Sequence, residues 1–407
     1  MGEVRYLTAR QAAEELNISL ATLYAYVSRG LIRSEAAGGS RRSRRYRAED
    51  VRKLRERKEQ RRDPGKVAEG ALHWGTPVME SAITLISDDK LYYRGRDVVD
   101  LAAGSTIEEV AALIWAGDPA AAQHIFGAES PVFSSRYRAV REGVAGLTPV
   151  EAFQILLPLA AVEDLAAYDL RPAAVARTGA RILCTVATIA VGHESSGESV
   201  AETLQRGWAP GEPEAEALFD STLVLCADHE LNVSTFAARC VASSDATPYG
   251  AVTAGLAALQ GTKHGGQTEL VEAFLREAEA LGDVRKVIAD RLKRGESVPG
   301  FGHSLYPGGD PRGAELLRLT SAARHWSPAV ALSAEVAEEA FGLIGERPTV
   351  DFGLVTLARA LELPSGGAKA LFAMGRTVGW IGHAIEQYRS GSLIRPRARY
   401  VGEQPKS

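Results

Sequence analysis

Helical periodicity runs through most of this chain beyond residue 100, and strand-like alternation is scarce. Apolar residues recur at three- and four-residue spacing over residues 149–163, 172–193, 213–231, 232–243 and 366–390, as in helices that bury one face. Thr106-Ile107-Glu108-Glu109 opens a further helix, reaching Trp115, with a capping box in which hydroxyl and carboxylate satisfy each other's backbone donors. Residues 88–95 read as a short hairpin or turn. Such patterning predicts an all-α body, and 407 residues suffice for two or three domains at about 150 residues each. The uninterrupted apolar run around residues 182–191 is too short for a membrane span, which takes roughly 18 residues. The N-terminus lacks the basic-then-apolar pattern of a signal peptide. Cys184, Cys226 and Cys240 are odd in number and lack metal-type spacing, so they read as reduced core thiols. The expected setting is the cytoplasm, with no membrane partner.

Charge is distributed unevenly. Residues 1–62 hold 16 Lys and Arg against 8 Asp and Glu, a net of +8, whereas the remainder holds 31 against 43, a net of −12. A basic module on an acidic body implies an anionic partner for the first piece, or simply a solvated charged helix. Thr8-Ala9-Arg10-Gln11 fits a capping box, and Ala12, Ala13 and Leu16 form one apolar face ended by Asn17. Ser19 caps a second helix from Leu20 to Ser28, followed by Arg29-Gly30. Two short helices with so tight a turn read as a helix-turn-helix, its second helix presenting Thr22, Tyr24 and Arg29. Residues 31–34, a Gly38-Gly39-Ser40 turn and the Arg41-Arg42-Ser43-Arg44-Arg45-Tyr46 return form a hairpin. Its four arginines, Arg41, Arg42, Arg44 and Arg45, suit phosphate contacts. A third helix starts at Ala48, and residues 63–75 form a linker. The stretch resembles winged-helix DNA-binding domains of the MerR and excisionase type, which implies double-stranded DNA as a partner. A helical packing or oligomerisation module is the alternative.

The body carries eight histidines but neither His-Glu-x-x-His nor a helical ligand pair, so no metal is expected. No Gly-x-Gly-x-x-Gly follows a strand and no phosphate-loop pattern appears, which disfavours nucleotide-loop enzymes. Three histidines have distinctive surroundings: His229 in Ala227-Asp228-His229-Glu230-Leu231-Asn232, where helices break, His264 before Gly265-Gly266, and His303 after Pro299-Gly300-Phe301-Gly302. Glycines beside a histidine allow close approach of backbone and ligand. Capped loop ends with hydrogen-bonded imidazoles are the structural alternative for all three.

Together with Tyr93-Arg94-Gly95-Arg96-Asp97, Lys263-His264-Gly265-Gly266, Asp310-Pro311-Arg312, Val350-Asp351-Phe352, Gly375-Arg376-Thr377-Val378-Gly379-Trp380 and Ile394-Arg395-Pro396-Arg397, these segments resemble, in order, those of the citrate synthase family. The resemblance implies an all-α fold with a large helical domain (residues 76–255 and 350–407) and a small one (256–349), preceded here by the winged helix-turn-helix (1–62). It implies condensation of acetyl-CoA with oxaloacetate and water to give citrate and CoA, with acyl-CoA as substrate and no cofactor. Carried over by position, Asp351 is the base, His264 the donor to the enol oxygen, and His303 the group that polarises the oxaloacetate carbonyl. Arg312 and Arg376 clamp its carboxylates, His229 adds a donor, and Arg395 reaches across a homodimer. Departures from the family pattern are Gln267-Thr268 after the His264 motif and Ser304-Leu305-Tyr306-Pro307 where a basic residue is usual. Two further readings follow: a 2-methylcitrate synthase using propionyl-CoA, and a metabolite-sensing transcription regulator built on a synthase body.

Overall fold

A computed structural model describes residues 6–16, 18–28, 32–36, 44–48, 50–51, 79–127, 133–194, 199–398 and 400–405. The chain divides into two compact units, residues 1–80 and 81–407. In the first, strand β1 (Tyr6–Thr8) leads into helix Ala9–Glu15, then helix Leu20–Ser28 and strands β2 (Ser34–Ala36) and β3 (Arg44–Arg47). The predicted capping box is formed: Thr8 Oγ accepts from Gln11 N–H at 3.3 Å, and Gln11 Oε1 accepts from Thr8 N–H at 2.9 Å. Ser19 Oγ accepts from Thr22 N–H and so caps the second helix. Leu7, Ala12, Ala13, Leu16, Leu23, Ile32, Tyr46 and Val51 form the core of this unit.

The sheet differs from the expected two-stranded wing. Its order is β1-β3-β2, antiparallel throughout. Three residues are too few to show alternation, so β1 left no sequence signal. The outgoing wing strand is Ser34–Ala36, and Ile32 ahead of it enters the core. Arg33 is pinned there: its N–H and guanidinium donate three hydrogen bonds of 2.8–2.9 Å to Asp50. Arg29, Arg41, Arg42, most of the third helix and the 63–75 linker lie outside the described residues.

The second unit opens with strands β4 (Thr84–Ser87), β5 (Lys90–Tyr93) and β6 (Arg96–Asp97), an antiparallel meander. Its two-residue turns, Asp88-Asp89 and Arg94-Gly95, have φ of +50° to +80°, as tight hairpin loops require. Beyond it, every regular element among the described residues is helical. Helix Gly367–Ser390 is the hub, buried almost continuously from Ala370 to Ile385. Helices Pro149–Glu163, Pro172–Val191, Ala215–Cys226, Val233–Ala242 and Pro248–Leu259 pack around it. Pro172–Val191 is long and apolar enough to cross a bilayer, but it is mostly buried within the protein's own core.

A second, smaller core joins helices Gln267–Leu281, Val284–Lys293 and Pro328–Ile344. Helix Val350–Ala360 belongs to both cores: Phe352 and Val355 face the smaller, Val350, Leu354 and Leu357 the larger. Asp351 therefore stands where the two cores meet.

Candidate active site

The turn that carries His229 is held from three directions. Helix Ala215–Cys226 stops five residues short of its predicted end, because its C-terminal backbone groups are claimed by other elements. Ala227 O accepts from Gly379 N–H at 2.9 Å, Cys226 O accepts from Arg376 Nε–H at 3.0 Å, and the Tyr93 hydroxyl bridges the Asp228 N–H and C=O at 3.0 Å each. Glu230 then turns with φ +53°. A Cβ on Gly379 would lie 2.4 Å from both Ala227 O and Asp228 Oδ1, so the close approach of the hub helix requires glycine there.

His303 and Asp351 are brought together by the backbone. Thr349 N–H donates to Gly300 O at 2.8 Å and Gly302 N–H to Arg347 O at 3.0 Å, lacing the His303 loop to the residues just before Asp351. Asp310 completes the junction: it accepts from Val350 N–H at 3.0 Å and holds Arg312 through two bonds of 2.9 Å. That engages one edge of the Arg312 guanidinium, Nε and Nη2, within the protein.

Side chains close the cluster. His229 Nε2 lies 2.9 Å from the Tyr306 hydroxyl, and the His229 and His303 rings meet edge to face, centroids 5.3 Å apart. His264 Nε2 lies 2.8 Å from Ser234 Oγ, which also accepts from Trp380 Nε1–H at 3.2 Å. Phe372 stacks on Arg376, and the His264 ring meets its edge. Of the residues singled out in the sequence, His229, His264, His303, Arg312, Arg376 and Asp351 are thus brought into one region, Asp351 through the backbone junction that Asp310 ties to Arg312 and that Thr349 ties to the His303 loop. Arg395 does not join it within one chain: it is exposed on the segment after Gly391. In the N-terminal unit Tyr24 and Arg44 are exposed and Thr22 is engaged with Ser19. Arg45 folds back onto Glu35 and over the Tyr6 ring at 4.3 Å.

Tyr306, Asp310, Ser234 and Trp380 were missed as site residues. Asp310 did carry a signal, since Asp before Pro is a helix N-cap pattern and it caps Pro311–Arg324.

Burial and neighbouring guanidiniums set the protonation states. Burial, reinforced by Arg376, pushes His264 down to about 4. Burial and then Arg312 push His229 well below its usual range and lower His303. All three imidazoles are therefore neutral at neutral pH. His303 Nδ1 accepts from Leu305 N–H at 3.2 Å, which fixes the tautomer with the proton on Nε2, a donor. Burial drives the Asp351 carboxyl up to about 6, Arg312 opposing the shift. Arg376 is 1% exposed, and neither Nη1 nor Nη2 has a hydrogen-bond partner. A buried cation with two idle donors is costly unless an anion meets it. Neutral imidazole donors, a weakened carboxylate and an anion-hungry arginine suit proton abstraction next to a carbonyl on a dianionic co-substrate.

The family model for the citrate synthase C-terminal domain matches residues 71–397, and a helix-turn-helix model matches residues 6–59. The chain is 34% identical to a citrate synthase of Haloferax volcanii, over 81% of this chain and 95% of that protein. It is 29% identical to 2-methylcitrate synthase 2 of Corynebacterium glutamicum, over 78% and 90%. A solved citrate synthase of Thermoplasma acidophilum, in ternary complex with carboxymethyl coenzyme A and oxaloacetate, aligns with a TM-score of 0.69 at 25% identity, covering 82% of this chain and 96% of that one. With its hub helix, its paired cores and the ordered histidine and aspartate segments at their junction, this chain belongs to the citrate synthase family.

Proposed function

We propose that this chain condenses acetyl-CoA with oxaloacetate, releasing citrate and CoA. The observation that carries the reading is Arg376, buried with two unpartnered guanidinium nitrogens beside three neutral histidines and the Asp351 carboxylate. In this reading Asp351 removes a proton from the thioester methyl while His264 donates to the forming enol oxygen. The His303 Nε2–H polarises the oxaloacetate carbonyl, and its proton passes to the new alkoxide after the carbon–carbon bond forms. Water then cleaves the citryl thioester. Arg376, Arg312 and His229 hold the carboxylates. Arg395 completes the site from the second subunit of a homodimer in the cytoplasm.

The nature of the base sets an acid limit. Asp351 must be ionised to accept the proton, and its pKa is raised to about 6. Activity is therefore present above pH 6 and is lost as pH falls through that value, well above the range of an ordinary aspartate. A pH profile of kcat/KM checks this; an acid limb near pH 4 would contradict it.

Propionyl-CoA in place of acetyl-CoA is the second reading, supported by the relative named for 2-methylcitrate synthesis. A single methylene is worth about 1–3 kcal/mol in a pocket, so the two thioesters are separated by their kcat/KM ratio. A ratio above one for acetyl-CoA over propionyl-CoA supports the first reading, and the reverse supports the second.

The match of residues 6–59 to a helix-turn-helix model supports a DNA-binding role, which would make the protein a metabolite-responsive regulator as well. Duplex DNA affinity is then expected to fall linearly on a log–log plot against salt, and Arg44→Ala to reduce the slope by about 1. Absent or salt-independent binding would contradict this role.

A further inference from the structure

Beneath the His229 turn lies a chain of buried polar groups that the proposed chemistry does not use. Asp228, fully buried, accepts from the Thr84 hydroxyl at 2.5 Å. His383, also fully buried, brings Nε2 to 3.4 Å from each carboxylate oxygen. Its other nitrogen lies 3.9 Å from Glu386, which accepts from Ala82 N–H at 2.9 Å and pairs with Arg239 at 3.4 Å. Arg239 in turn donates to Gln387, whose amide donates to Ser392 O at 2.7 Å.

The arrangement follows from helix geometry. Arg376, Trp380, His383 and Gln387 are spaced four, three and four residues apart and so share one face of the hub helix. Arg376 is the anion donor, Trp380 reaches His264 through Ser234, and Gln387 holds the segment that carries Arg395. His383 occupies the matching position for His229. A buried carboxylate needs partners. Asp228 takes both of its hydrogen bonds on Oδ2, one from strand β4 and one from the hub helix, while Oδ1 has only the His383 imidazole 3.4 Å away. With either removed, the carboxylate must seek another partner, and the turn holding its neighbour His229 moves with it.

We infer that His383 is a positioning residue for oxaloacetate recognition: by closing one side of Asp228 it fixes the turn from which His229 reaches the site. The inference rests on the reading of His229 as an oxaloacetate ligand. A residue that merely supported the core would lower stability and the fraction of active protein, leaving the KM of the folded remainder unchanged. A positioning residue changes KM.

The test uses the full chain and compares wild type, His383→Leu and His383→Gln by steady-state kinetics and by calorimetric binding of oxaloacetate. His383→Leu is expected to raise the oxaloacetate KM and Kd about tenfold or more, with kcat and the acyl-CoA KM changing far less, since removing a group that orients others costs on the order of 10–100-fold. Gln places an amide N–H near the position of the imidazole Nε2 and is expected to restore most of the affinity. Unchanged oxaloacetate KM and Kd in His383→Leu would overturn the inference, as would a Gln variant no better than Leu. Should His383→Leu not fold, Thr84→Val decides: a several-fold rise in oxaloacetate Kd supports the inference and an unchanged value overturns it. A wild-type protein that binds oxaloacetate without turnover would contradict the synthase reading alone, and the ratio of Kd values would still decide this one.

Discussion

Asp351→Asn is expected to lower kcat by about 10²–10⁴-fold, the usual worth of a positioned general base. Asparagine keeps the shape of the side chain but cannot accept the thioester proton. The backbone lacing that holds this position, Thr349 to Gly300 and Gly302 to Arg347, involves no Asp351 side-chain atom, so the cluster should stay assembled. Oxaloacetate affinity is then retained. Nor should the protein become less stable, since burial already disfavours the charged carboxylate whose pKa it raises to about 6. Loss of oxaloacetate binding together with turnover would mean that Asp351 holds the substrate instead of acting as the base.

The second large effect concerns Arg376. Arg376→Met removes the guanidinium while roughly filling its volume. Losing one partner of a desolvated charged pair costs about 2–5 kcal/mol, and at 1.4 kcal/mol per tenfold this is a rise in oxaloacetate KM of roughly 30-fold or more. The substrate-free protein is expected to respond in the opposite sense. Of the Arg376 nitrogens only Nε–H donates internally, to Cys226 O, while the other two are buried without hydrogen-bond partners. An apolar side chain there relieves that penalty, so the melting temperature should be unchanged or higher. A variant that melts earlier and binds oxaloacetate normally would show that Arg376 is a structural residue.

The helical body was largely legible because its periodicity is sustained. The Thr8 and Thr106 capping boxes, the Leu20–Ser28 helix and the hub helix were each visible within a residue or so. Features set by long-range contacts were not. The early stop of the helix before Asp228 depends on Tyr93, Arg376 and Gly379, from 135 to 150 or more residues away in sequence, and no local signal marks it. Strand β1 exists only as a partner for β3. The site showed the same division. His229, His264, His303 and Asp351 stood out through their neighbours in sequence, whereas Tyr306 and Ser234 matter for what they touch. Arg312 looked like a free clamp in the sequence; in the fold, Asp310 occupies one of its edges.

The most direct test of the central claim is oxaloacetate-dependent release of free CoA from acetyl-CoA by the purified full-length protein, run beside Asp351→Asn. Sustained release that requires oxaloacetate and nearly disappears in the variant is the predicted result. No release by the wild-type protein from either acetyl-CoA or propionyl-CoA, or equal release by both proteins, would contradict it.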